Sequence, residues 1–273
     1  VCAIGNANGE IYERISIPTE TPEITVPKMI EYFKEKDIQA LGIGCFGPID
    51  LNRKSETYGY ITTTPKLAWK NYNIVGAFAD ALDIPVGFDT DVNGSALGEA
   101  TWGITKGLDN SIYITIGTGV GMGIISNGKL LHGMLHPEGG HVLLTRHPKD
   151  TYGGKCPYHS NCLEGLAAGP AIEARWGKKG IELADKKEVW ELEAYYIGQA
   201  LVDCIMLLSP QRIVLGGGVM HQEHMMPLVR EEVKKQLNGY LVTKELEDLD
   251  SYIVLPSLND NQGIMGALKD RKS

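Results

Sequence analysis

Four side chains with the chemistry of metal ligands crowd into one short stretch: His141, Cys156, His159 and Cys162. The last three stand as C-x-x-H-x-x-C, and fourteen residues separate His141 from Cys156. Two thiolates and two neutral imidazoles suit tetrahedral Zn²⁺, and four protein ligands leave no open coordination position. The spacing therefore predicts a structural ion rather than a hydrolytic one. The ion would pin residues 133–169, a stretch rich in His, Gly, Pro and Cys with too few apolar residues to fold alone. His132, His136 and His147 are spare imidazoles that could change the ligand set. Metal-dependent hydrolysis finds no support, because no H-E-x-x-H pattern occurs.

Two glycine segments have the composition of anion cradles. Gly216-Gly217-Gly218 follows the apolar run 212–215 and precedes a helical pattern, so its backbone could approach an anion or a nucleotide ring. It matches neither the Walker loop nor the dinucleotide fingerprint. Gly117-Thr118-Gly119 lies between two strand patterns, where its N–H groups and the Thr118 hydroxyl could hold a phosphate. An ordinary tight turn explains either segment alone. Together they are what a nucleotide cleft between two lobes needs, one taking phosphate and the other the nucleoside.

Carboxylates complete the chemistry. Asp89-Thr90-Asp91-Val92-Asn93 sits where the apolar strand 85–88 gives way to a helical pattern over 92–102. A carboxylate there can take a proton from a substrate hydroxyl or can cap the helix, and spacing leaves both readings open. Glu138 and Glu164 flank the metal stretch, positioned either to bind sugar hydroxyls or to orient a histidine ligand.

The elements that must hold these residues alternate. Strand patterns over 1–4 and 11–17 flank an Asn6-Ala7-Asn8-Gly9 turn, and a stripe of Ile24, Ile30 and Phe33 predicts a helix over 22–36. A strand at 41–46 ends at Gly47-Pro48, and a helix at 74–82 leads to the strand 85–88. Strands at 111–116 and 120–125 repeat the strand, glycine turn, strand opening, which predicts two similar halves. A long amphipathic helix (Val189, Leu192, Ile197, Leu201, Ile205, Leu208), the strand 212–215 and a helix over 228–237 follow. The acidic run 245–250 is expected to be a solvated face. Such alternation predicts an α/β architecture.

Length and composition agree with that. A chain of 273 residues, 43% hydrophobic and 22% charged, is long enough to bury a substantial core without disulfides. Its 26 basic and 34 acidic residues give a net charge of −8, which offers nucleic acid no electrostatic footprint. Glu191, Glu193 and Asp203 interrupt the most apolar stretch, so no membrane span is expected there. Five cysteines, an odd number largely in apolar runs, point to reduced thiols and a cytoplasmic location.

Taken together, Asp89-Thr90-Asp91-Val92-Asn93, Ile114-Thr115-Ile116-Gly117-Thr118-Gly119, His136-Pro137-Glu138-Gly139-Gly140-His141, Cys156 through Glu164 and Val214-Leu215-Gly216-Gly217-Gly218-Val219 resemble the ROK family (repressor, open reading frame, kinase). The likeness runs in the same order over nearly the whole chain and is greatest to the family's bacterial fructokinases. It implies an actin-like ATPase (ribonuclease H-like) fold, two similar α/β domains with a cleft between them. The expected division is residues 1–108 plus 262–273 against 109–261.

The resemblance further implies transfer of the ATP γ-phosphate to a hexose, fructose first among the candidates, with Mg²⁺ brought by the nucleotide. Asp91 matches the general base. Gly47, Pro48, Asn93, Glu138, His141 and Glu164 match sugar-side positions, His141 doubling as a zinc ligand. Gly117, Thr118 and Gly119 match the second phosphate loop, and Gly216, Gly217 and Gly218 the adenosine loop. A homodimer is implied as well. Cys156, His159 and Cys162 depart from the C-x-C arrangement of many ROK glucokinases, and Thr90 stands where those have Asn. The family's first strand and its acidic-x-G-G-T-K loop are expected before Val1, so the polypeptide is expected to be longer than this sequence. The alternative within the family is a sugar-sensing transcriptional regulator with a DNA-binding module ahead of the same core.

Overall fold

The computed structural model describes residues 1–270. They form two compact units: residues 1–107, 129–137 and the stretch from Ser257 onward make the first, and residues 108–128 and 138–256 the second.

In the first unit, β1 (Cys2–Gly5) pairs antiparallel with β2 (Ile11–Ile15). The turn between them closes where Gly9 N–H donates to the Asn6 carbonyl at 3.1 Å, with Gly9 at φ +85°. Helix α1 (Pro22–Lys34) starts on a proline, whose missing N–H is not needed in the first turn. Its buried residues are Pro22, Thr25, Val26 and Phe33, and Ile30 packs against the same core; of the expected stripe, Ile24 is exposed. The Thr25 hydroxyl accepts the Glu20 N–H at 2.9 Å, which draws that face inward.

The strand β3 (Leu41–Cys45) is followed by the short antiparallel pair β4 (Tyr60–Ile61) and β5 (Tyr72–Asn73), helix α2 (Ile74–Leu82), strand β6 (Val86–Thr90) and helix α3 (Asp91–Trp102). β3 and β6 pair in parallel from Leu41↔Val86 to Cys45↔Thr90, so their C-terminal ends lie side by side. Val26, Phe33, Ile49, Ile61, Trp69, Phe78 and Phe88 build the core beneath them.

The second unit opens with the hairpin β7 (Ser111–Ile116) and β8 (Val120–Ser126). After it, β9 (Lys129–Leu130) belongs to the first unit. Helices α4 (Leu163–Ala167), α5 (Gly169–Trp176) and α6 (Lys187–Leu208), strand β10 (Arg212–Gly216), helices α7 (Met225–Leu237), α8 (Lys244–Glu247) and α9 (Leu249–Tyr252), and strand β11 (Ile253–Val254) complete the second unit. Helix α10 (Gln262–Asp270) returns to the first. The strands of the second unit run in the order β11-β10-β7-β8, with β10 parallel to both β11 and β7. Trp190, Tyr196, Ile197 and Leu201 of α6 are fully buried, as an amphipathic helix against a sheet requires. The acidic run falls on α8 and α9, whose charged side chains face solvent.

The unit boundaries differ from the expected 1–108 plus 262–273 and 109–261. Residues 129–137 join the first unit because polar side chains tie them there. His136 Nε2 accepts the Ile49 N–H at 3.1 Å, and His132 Nε2 lies 2.8 Å from Asp89 Oδ2. The stretch from Ser257 joins it too, through the Ser257 N–H and hydroxyl donating to Glu99 at 2.8 Å each. The expected metal stretch 133–169 is thus split, and its four ligands all lie in the second unit. Among the described residues, no helix is long and apolar enough to cross a membrane. All five cysteines are unpaired thiols.

Candidate active site and metal centre

Asp91 is the first residue of α3, and the helix is capped by its neighbour: the Thr90 hydroxyl accepts the Asn93 N–H at 3.1 Å. The carboxylate of Asp91 is therefore spared the capping role, and its Oδ1 accepts the Val92 N–H at 2.9 Å. Asp91 stays open to solvent, yet burial by surrounding protein pushes its carboxyl above the ordinary aspartate value, against the opposing pull of the Val92 N–H and the Lys66 charge. A base with a raised pKa is the better proton acceptor.

Gly47 and Pro48 leave the end of β3 beside that turn. Gly44 is packed so closely that a side-chain carbon on it would lie 3.3 Å from Asp91 Cα. The Pro48 carbonyl accepts the Thr62 N–H at 2.9 Å, and the buried imidazole of His136 holds the next amide, that of Ile49. To accept that bond His136 must be neutral, and burial lowers its pKa accordingly. Asn93, expected to touch sugar, is fully buried, and its amide donates to Asp89 Oδ1 at 2.7 Å. It holds the turn and offers no surface to a substrate.

In the second unit the four metal-ligating residues converge, with one donor atom from each within 4.8 Å of the others. Cys156 Sγ lies 3.8 Å from His141 Nδ1 and 3.6 Å from His159 Nδ1, and Cys162 Sγ lies 3.6 Å from His141 Nδ1. Zinc–sulfur and zinc–nitrogen bonds of about 2.3 and 2.0 Å at a tetrahedral angle imply edges of about 3.5 Å. The donor set fits Zn²⁺. Cys162 also caps α4 by accepting the Gly165 N–H at 3.4 Å, so the centre is welded to a helix start. His147, one of the spare imidazoles, packs edge-on against Tyr195 and stands outside the cluster.

The two glycine turns meet. Gly216 lies opposite Thr115 at the C-terminal ends of the parallel strands β10 and β7. A side-chain carbon on Gly117 would come 3.8 Å from the Gly218 amide, and one on Gly218 would meet nothing, so their backbone groups border open space. Gly217, at φ +89°, has room for no side chain: its carbon would fall 2.4 Å from the Ile116 carbonyl. Thr118 is exposed at the tip of the first turn. Glu164 joins turn to metal centre, Oε2 accepting the Val120 N–H at 2.9 Å and Oε1 lying 3.9 Å from His141 Nε2. The Glu138 carbonyl accepts the His141 N–H at 3.0 Å. Glu138, His141, Glu164 and the glycine turns thus form one continuous polar surface.

Sequence reading missed several supporting residues. Arg175 on α5 pairs with Glu193 of α6 at 2.9 Å and with Asp150 at 3.2 Å, all three side chains buried, and the Tyr196 hydroxyl donates to Asp150 at 2.6 Å. This network anchors the base of the metal stretch. Arg175 and Glu193 sit singly on helical patterns, so only the interruption of apolar runs by charge pointed to them. His132 and His136 stood out by type alone, and their bonds to Asp89 and Ile49 join positions far apart in the chain.

Residues 1–269 match the ROK family. The chain is 46% identical over 268 residues to the fructokinase of Pediococcus pentosaceus, covering 98% of this chain and 92% of that protein. It is 47% identical over 266 residues to the fructokinase of Streptococcus mutans, covering 96% and 89%. Its fold is that of a ROK family glucokinase from Streptomyces griseus solved in complex with glucose and AMPPNP. That match has a TM-score of 0.73 at 23% identity and covers 99% of this chain and 95% of the other.

Proposed function

Since the chain belongs to the ROK family, with the α/β fold of its sugar kinases, we propose that it transfers the γ-phosphate of ATP to fructose, giving fructose 6-phosphate, with Asp91 as general base. The observation that carries this reading is the Asp91 turn: a carboxylate with a raised pKa, freed from capping by Thr90, at the C-terminal edge of two parallel strands.

The chemistry follows from positioning and charge. Gly47, Pro48, Glu138, His141 and Glu164 hold the sugar. The Gly117-Thr118-Gly119 turn, closed by the Gly117 N–H donating to the Gly119 carbonyl at 2.9 Å, receives phosphate, and Gly216, Gly217 and Gly218 receive the adenosine end. Mg²⁺ arriving with the nucleotide supplies neutralising charge. Asp91 takes the proton of the sugar hydroxyl as its oxygen bonds to the γ-phosphorus and the bond to the β-phosphate oxygen breaks.

Zn²⁺ at His141, Cys156, His159 and Cys162 is structural in this reading: it fixes His141, and through it the sugar-facing surface, at the price of no open coordination site. Five unpaired thiols favour a reducing, cytoplasmic setting, and a homodimer is the assembly we expect. A coupled assay over fructose, mannose and glucose with Mg-ATP tests the substrate. The highest kcat/KM is expected for fructose, and a preference of more than tenfold for glucose overturns it.

A further inference from the structure

The turn that presents Asp91 is itself held from below by a second carboxylate. Asp89 is 6% exposed, and both of its oxygens are engaged. Oδ1 accepts the Thr90 N–H and the Asn93 side-chain amide, each at 2.7 Å, and Oδ2 lies 2.8 Å from His132 Nε2. Asn93 in turn lends its backbone N–H to the Thr90 cap. Asp89 therefore bonds the residue before Asp91 and the residue two after it, the two points that fix how the strand passes into the helix.

A carboxylate this buried is costly unless charge-assisted hydrogen bonds offset it, and an amide or an apolar group would serve packing alone. The negative charge also sits just ahead of the α3 N-terminus, where the helix dipole favours it. His132 stands on the other side, its side chain 39% exposed beside a cavity of about 650 Å³ that Tyr58, Phe88 and Met134 help to line. A replacement at His132 therefore has space around it.

We propose that Asp89, oriented by His132, is a positioning residue that sets the direction of the Asp91 carboxylate toward the sugar hydroxyl. The proposal rests on the reading of Asp91 as base. It assigns Asp89 no contact with substrate.

The test is a cycle of Asp89→Asn, Asp91→Asn and the double variant, with steady-state kinetics using radiolabelled ATP and thermal unfolding of each protein to correct for folded fraction. Misplacement of a reacting group by about 1 Å costs about 100-fold. Asp89→Asn is expected to lower kcat about 10- to 100-fold with the fructose KM within about threefold of the parent. In the Asp91→Asn background it should lower the residual rate less than about twofold, since it acts through the residue already lost. A full second loss there, or a change carried in KM, overturns the proposal. Retention of turnover by Asp91→Asn alone overturns instead the base reading beneath it. For His132, Leu should lower kcat about tenfold, and Gln, which keeps a donor for Asp89, should restore it to within about threefold. An unchanged kcat in His132→Leu removes His132 from the account, and equal losses in Leu and Gln reduce it to packing.

Discussion

Glu164 Oε2 accepts the Val120 N–H at 2.9 Å, and the same carboxylate lies 3.9 Å from His141. One side chain thus joins the Gly117–Gly119 turn to the cluster of His141, Cys156, His159 and Cys162. His141 thereby faces the cluster of Cys156 and Cys162 through Nδ1 and Glu164 through Nε2.

Zinc content follows directly. Freshly purified protein should carry about one zinc ion per chain by elemental analysis, because one donor atom from each of four residues already lies within 4.8 Å of the others. Cys156→Ser should lose the ion and, with it, protection of residues 141–165 from hydrogen exchange. Metal-free parent protein with full protection of that stretch contradicts the assignment.

Gly217 is a position where the backbone decides. At φ +89° and ψ 163° it occupies a region that residues with a Cβ scarcely enter. Gly217→Ala should cost about 1 to 3 kcal/mol in denaturant unfolding and raise the KM for ATP more than that for fructose. Equal effects on both substrates, measured by varying each in turn, would detach this turn from the nucleotide.

The buried His136 makes stability depend on pH. Burial lowers its folded pKa below the ordinary histidine value, against opposing contributions from the Pro137 backbone and the Asp89 charge, with His132 adding to the lowering. The unfolded chain therefore binds the proton more readily. Its contribution is complete above the ordinary histidine pKa of about 6.5 and is lost as pH falls below that value. His136→Gln, whose side-chain oxygen can still accept the Ile49 N–H, should flatten the dependence of the denaturant midpoint between about pH 6.5 and 5. An unchanged slope assigns the acid sensitivity elsewhere.

Much of this was legible in residue order. The glycine turns, the C-x-x-H-x-x-C spacing and the 3.6-residue periodicity of α6 are local signals, and they fall on two adjoining turns, a cluster of four donor residues and a helix with a buried face. On α1 the expected stripe holds at Ile30 and Phe33 but not at Ile24; the neighbouring inward position is Thr25, whose hydroxyl accepts the Glu20 N–H. Asn93 is a sugar-side position by resemblance to the family, yet here it is buried with its amide on a carboxylate four residues earlier. The unit boundaries were missed for the same reason: His132, His136 and Ser257 reach partners 43, 87 and 158 residues away, and no spacing rule encodes such bonds.

The central claim is that Asp91 takes the proton. Asp91→Asn keeps the shape of the turn and removes only the base. It should lower kcat by about 100- to 10,000-fold, the usual contribution of a positioned base, while fructose binding by calorimetry stays within a few-fold of the parent. Turnover within tenfold of the parent, in protein shown to be folded, would contradict the account.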